Sequence, residues 1–121
     1  ENGDLKSTYK LKERLKIIQD SGAGEVLIKS IDRDGQKLGQ DLNLIKILDK
    51  ECKIPVIACG GTGKWEDFYN VFNKTNVSAV AASNIFHHSD QSVYEAKKYL
   101  YQKEINVRKP ELIDTIKLFS L

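Results

Sequence analysis

The chain has 121 residues, 40% of them hydrophobic and 30% charged, with a net charge of +2. That mixture fits one soluble globular domain or a piece of a larger one, and excludes a disordered or fibrous chain. The basic residues are interleaved with acids, as in KLKERLK (10–16) and KKYLYQKE (97–104). Such runs read as solvated helix faces and not as a nucleic-acid footprint.

No apolar run reaches the ~20 residues of a membrane span, and the first residues do not read as a signal sequence. Cys52 and Cys59 form no CxxC pair and are expected to be free thiols in a reducing cytoplasm. Methionine is absent, position 1 included, and the chain opens on the turn-like ENGD. This suggests the remainder of a longer protein.

In chain order, residues 10–20 place Leu11, Leu15 and Ile18 on one stripe of an amphipathic helix that stops at Ser21-Gly22. Residues 25–30 (EVLIKS) form a short strand. Asp41 is placed to cap a second helix whose apolar stripe is Leu42, Ile45 and Leu48. Residues 54–59 (IPVIAC) are a second strand, ending in Gly60-Gly61-Thr62-Gly63. A third helix spans 64–73, with Trp65, Phe68, Tyr69 and Phe72 expected to pack inward. Residues 77–82 (VSAVAA) form a third strand, 92–102 a last long helix, and NVRKP (106–110) leads into an apolar tail.

A helix in every gap of about 25–30 residues between strands calls for a parallel α/β sheet with crossover helices. The strands are near-continuously apolar, which predicts that both faces are covered. Three strands cannot close a barrel or complete a doubly wound sheet, but they form part of one.

In such sheets binding groups gather at the C-terminal strand ends. Three ends are visible: Lys29 to Gly35, Cys59 to Gly63, and Ala82-Ser83-Asn84. Gly60 and Gly61 lack Cβ atoms, so their backbone N–H groups can approach an anion, and a helix start follows at Lys64. The N–H and hydroxyl of Ser83 can complete a phosphate cradle. GGTGK is neither a P-loop nor a dinucleotide fingerprint, so no nucleotide cofactor is expected. His87 and His88 are adjacent, and neighbours in sequence rarely ligate one metal, so no metal is expected.

GAGEVLIKSIDRDG (22–35), PVIACGGTGK (55–64), AVAASNIFHH (79–88) and INVR (105–108) together resemble the cyclase subunit of imidazole glycerol phosphate synthase. The resemblance runs over essentially the whole chain. It implies a partial (βα)8 TIM barrel in which residues 1–121 hold strands six to eight with flanking helices. It also implies that a glutaminase partner supplies ammonia, which the cyclase uses on a phosphorylated ribonucleotide substrate. The products would be imidazole glycerol phosphate and an aminoimidazole carboxamide ribonucleotide, in histidine biosynthesis. The principal acid–base aspartates of that family fall on strands one and five, outside this chain, so the chain alone is expected to be inactive.

Position by position, the resemblance makes Asp34 an auxiliary site aspartate and Gly60, Gly61, Ala82 and Ser83 a phosphate site. Glu25 falls in the ring where ammonia enters, and Arg108 near the same glutaminase-facing end. Lys29 stands where the family usually has threonine, beside the phosphate and Asp34, and Cys59 replaces a usual serine. These departures also fit cyclase-like relatives that serve sugar amidation in surface polysaccharide synthesis. A non-catalytic, phosphate-binding half-barrel that self-associates through its open sheet edges is a further reading. In SIDRDG (30–35), Asp32 is expected to hold the turn with Arg33. Gly35 and Gly39 are expected to fold the loop over the mouth of the site.

Overall fold

The computed structural model describes residues 5–87 and 93–111. The order of elements is α1 (Leu5–Asp20), β1 (Val26–Lys29), α2 (Leu42–Glu51), β2 (Val56–Cys59), α3 (Trp65–Lys74), β3 (Ala79–Ala81), α4 (Asn84–His87) and α5 (Val93–Gln102). All three strands are parallel, in the order β1-β2-β3. The sequence pattern located each of these apart from the four-residue α4, and the strands are shorter than expected. Expectations for Glu1–Asp4, His88, Ser92 and the apolar tail beyond 111 lie outside the described residues.

Each element stops for a local reason. Gly22, at φ +86°, closes α1 in a left-handed turn, with Ala23 N–H donating to the Ile18 carbonyl and Gly22 N–H to that of Gln19. This is the bonding pattern that satisfies the orphan carbonyls of a helix end. The Asp41 carboxylate accepts from the N–H of Leu44 at 3.0 Å, starting α2 as expected. Gln19 also ties helix ends together. Its amide donates to the carbonyls of Leu15 and Glu51 and its oxygen accepts from Lys53 N–H.

The main core lies between the sheet and helices α1 to α3. It contains Leu15, Val26, Ile45, Leu48, Val56, Ala58, Val71 and Val77. A second cluster joins Phe68, Ile85 and Leu100, with Trp65, Tyr69 and Phe86 packed against it. Trp65 and Phe86 sit 6.0 Å apart between ring centroids, so the aromatic stripe is core as the pattern implied. Ile18, on the expected stripe of α1, is 37% exposed and lies outside that core.

The expectation that both sheet faces are covered is corrected. Val26, Val56 and Ala58 face the helices and are buried, whereas Leu27, one residue on, is 57% exposed. Ile57 and Ala79 pair abreast of it. Strand alternation puts Leu27, Ile57 and Ala79 on the other face, which no described helix covers. The apolar run of VLI implies two covered faces, but the described residues provide the cover for one.

Leu48 is wholly buried at the centre of the main core. Leu48→Ala is expected to cost about 2–5 kcal/mol in urea unfolding, while the exposed Leu27→Ser changes stability by less than about 0.5 kcal/mol.

Candidate functional site

Register aligns the three strand ends. Lys29 pairs with Cys59, and Cys59 with Ala81. Neighbouring parallel strands lie about 4.8 Å apart, so the loop after β1 (residues 30–41), the Gly60–Lys64 turn and Ala82-Ser83 emerge along one edge. The ladder continues one step past the strands, with Ser30 N–H donating to the Cys59 carbonyl at 3.1 Å.

The glycines are needed here for a steric reason besides the one expected. Gly60 and Gly61 have φ of +97° and +98°, where L side chains are strained. A Cβ on Gly60 would lie 2.7 Å from the Ser30 carbonyl oxygen. One on Gly61 would strike the Gly39 carbonyl and lie 2.9 Å from Arg33 Cβ, and one on Gly63 would lie 2.6 Å from Lys37 Cβ. The missing side chains make room for the chain's own 30–41 loop. What remains for an anion is the row of N–H groups. Those of Gly60, Gly61, Thr62 and Ser83 donate to no protein acceptor among the described residues.

The two loops are braced beneath that row. Gly39 N–H donates to the Gly61 carbonyl at 2.9 Å. The buried Gln40 amide donates to Thr62 Oγ1 at 3.1 Å. Asp67, buried in the first turn of α3, accepts from the N–H groups of Gly63 and Lys64 at 2.8 and 3.0 Å. Asp67 thereby takes the two N–H groups just ahead of α3, and those of Gly60, Gly61 and Thr62 upstream stay open. Sequence reasoning missed Gln40 and Asp67. The signal for Asp67 was its place three residues after Lys64, the position from which an acid reaches back over a helix start.

Lys29 and Asp34 meet directly. The ammonium and a carboxylate oxygen are 2.6 Å apart, each side chain about half exposed. Asp34 N–H donates to the Ser30 and Ile31 carbonyls, winding the loop back toward the strand end. The hydrogen bond and charge of Asp34 hold the Lys29 ammonium above the usual lysine range. Partial dehydration opposes this, and nearby Cys59 adds slightly. A raised lysine value means that the pair's contribution is present throughout neutral pH and is lost only in strong alkali.

Asp32 does not pair with Arg33 as expected. Arg33 Nη1 instead donates to the Leu38 carbonyl at 3.4 Å, since the turn carries the guanidinium along the loop. Asn84 Nδ2 approaches the Gly35 carbonyl at 3.5 Å and joins the third strand end to the same loop. Gly35, Lys37 and Gly39 all have positive φ in this loop.

Glu25 precedes β1 and therefore sits at the opposite end of the sheet from Asp34. It is exposed and takes part in no ion pair among the described residues. Arg108 is likewise exposed, held by Ile105 and Val107, which pack on the aromatic cluster. The two are not brought into contact with each other. His87 ends α4 and is exposed, and the described residues hold no group of side chains suited to a metal ion. Among them, no helix is long and apolar enough to cross a membrane.

Residues 1–92 match the model of a family described as "Histidine biosynthesis protein". The chain belongs to this histidine biosynthesis family. It is 45% identical to the imidazole glycerol phosphate synthase subunit HisF of Natranaerobius thermophilus over 88% of this chain and 43% of that protein. It is 47% identical to the HisF of Saccharolobus solfataricus over 77% of this chain and 37% of that protein. The HisF of Nitrosopumilus maritimus is 51% identical over 72% of this chain and 33% of its own length. The chain thus spans about two-fifths of the length of the relatives it matches. Histidine biosynthesis proteins of this family are TIM barrels, and the three parallel strands with their helices are part of one.

Gly61 and Gly22 both have positive φ, but nothing lies within 4 Å of a Cβ on Gly22. Gly22→Ala should therefore cost about 1–2 kcal/mol for the backbone alone. Gly61→Ala adds a backbone clash and should cost about 3 kcal/mol or more, as read by thermal or urea unfolding of the two variants.

Proposed function

We propose that the chain is the phosphate-binding part of the cyclase subunit of an imidazole glycerol phosphate synthase. The observation that carries this reading is the meeting, at one sheet edge of a histidine biosynthesis family member, of an aspartate and a row of unpaired backbone donors. In this role Gly60, Gly61, Ala82 and Ser83 hold a substrate phosphate through N–H groups and the Ser83 hydroxyl. Asp34 faces the reacting part of the substrate and assists proton transfer. Lys29 and Cys59 line the floor between them.

Ammonia supplied by a glutaminase partner would enter from the far end of the strands. The separation of Glu25 from Asp34 along β1 supports that polarity, since one end is left for the partner and the other for the substrate. Glu25 and Arg108 then belong to the partner side. The reaction joins ammonia to the phosphoribulosyl formimino-aminoimidazole carboxamide ribonucleotide, giving imidazole glycerol phosphate and an aminoimidazole carboxamide ribonucleotide with loss of one water. A barrel needs eight strands and the described residues bring three, with Asp34 as the carboxylate set against Lys29 at this edge. We therefore expect the isolated chain to bind the ribulosyl nucleotide without turning it over in the presence of ammonia. Calorimetric binding and product assay on one preparation test both halves. Absent binding, or steady turnover by the chain alone, would each sink the reading.

A second reading rests on the exposure of Leu27 on the outer strand β1, on the sheet face that no described helix covers. The free edge of β3 adds to it, bordering a groove of about 410 Å³ lined by Phe68, Phe72, Phe86, Ala96, Leu100 and Val107. Unpaired edges and open apolar faces associate, and the partner we infer is a second copy of this chain. Light scattering at rising concentration should show a dimer or larger species, and Leu27→Lys should shift it toward monomer. A clean monomer for the native chain at high concentration argues against this reading.

A further inference from the structure

We propose that Lys29 is a direct ligand of the phosphate at this edge, holding it through donors that Asp34 leaves open and so admitting a dianion next to a carboxylate. The inference rests on the phosphate reading above and adds to it the group that selects for charge.

The geometry begins with register. Lys29 ends β1 directly abreast of Cys59, and the next residue along β2 is Gly60. The strands are about 4.8 Å apart, and a lysine stem extends its ammonium about 6 Å. Residues 29 and 59 therefore stand at the base of the row of open N–H groups. An ammonium carries three donors. Asp34 takes one through a single carboxylate oxygen, and Lys29 has no other partner among the described residues. With its side chain half exposed, the group is open to a ligand.

Charge supplies the second argument. A bare Asp34 carboxylate at this edge would repel a phosphate dianion, because like charges a few ångströms apart disfavour each other even near a surface. Lys29 cancels that charge while retaining two donors. Among the other cations nearby, Arg33 is turned to the Leu38 carbonyl and Lys64 pairs with Glu66 at 3.4 Å. Lys37, beside Gly63, has no partner among the described residues but stands on the loop and not abreast of Cys59 as Lys29 does. The raised proton affinity of Lys29 keeps it cationic at neutral pH, which suits an anion ligand and not a nucleophilic amine.

The test is titration of inorganic phosphate into the full chain at fixed ionic strength, followed by calorimetry or phosphorus NMR. Lys29→Met keeps the apolar stem and should weaken binding about tenfold, the scale of one charge-assisted hydrogen bond. Lys29→Arg should stay within about threefold, since it keeps charge and donors. Lys46→Ala removes the same charge from the exposed face of α2 and should leave binding unchanged. Lys29→Met combined with Asp34→Asn should remain weak, because the lost group is a ligand and not only a counter-charge. Circular dichroism establishes that each variant is folded, and Lys29→Thr replaces Lys29→Met should the latter not fold.

Native-like binding by folded Lys29→Met overturns the role of Lys29, as does full recovery in the double variant. Absence of phosphate binding by the native chain overturns the cradle itself, and the inference with it.

Discussion

The close passage of the 30–41 loop over Gly60, Gly61 and Gly63 is the constraint on which the site depends. Backbone meets backbone there at distances that no Cβ would permit, and the Gly39 to Gly61 hydrogen bond fixes the contact. Because the loop is pinned at that point, its earlier residues must turn back toward β1. That return brings the Asp34 carboxylate onto the Lys29 ammonium. Gly60 and Gly61 thus act twice, once by yielding space to the loop and once by leaving their own N–H groups unpaired, whereas the Gly63 N–H is taken by Asp67. Gln40, Thr62 and Asp67 supply the buried polar floor, and their bonds make the arrangement costly to deform, since a buried polar group without a partner loses about 1–3 kcal/mol.

The sheet has two unlike faces, and the difference organises the whole chain. The helix-facing side is filled by Val26, Val56, Ala58 and Val71 and carries the main core. The other side presents Leu27, Ile57 and Ala79 with no described element above them. In a closed barrel that side is the interior, filled by residues from strands across the lumen. The apolar character of these positions fits that use, since nothing on the helix side requires Leu27 to be leucine. The same residues that would fill a barrel's interior become an adhesive surface when few strands are present.

Much of this was legible in the sequence, and the rest was not for identifiable reasons. The helix and strand cadence, the Asp41 cap and the aromatic stripe from Trp65 to Phe72 follow from local pattern, which depends on neighbours in the chain. The strand-end location of Lys29, Asp34, Gly60 and Ser83 followed from the parallel topology. The steric requirement for the glycines did not, because Gly39 and Gly61 are distant in sequence and their contact is set by tertiary packing. Asp32 and Asp34 differ by two positions in a polar loop, and only the winding of that loop decides which one meets Lys29. The coverage of the sheet was misjudged because an apolar strand looks the same whether its second face meets a helix, a lumen or another chain.

The braces at the site edge all come from this chain. The 30–41 loop, the glycine turn and the start of α4 are linked by Gly39 to Gly61, Gln40 to Thr62 and Asn84 to Gly35, with no contribution needed from strands outside it. Donors braced this way are fixed before the rest of a barrel closes around them, and preorganised donors lose little freedom on binding a ligand. Acid–base chemistry makes a different demand, since it requires groups on both sides of a substrate at the same time, and this edge provides only one side. The division of labour follows from geometry. An anion needs donors from one set of neighbouring loops, whereas catalysis in a barrel draws on strand ends that face each other across the lumen.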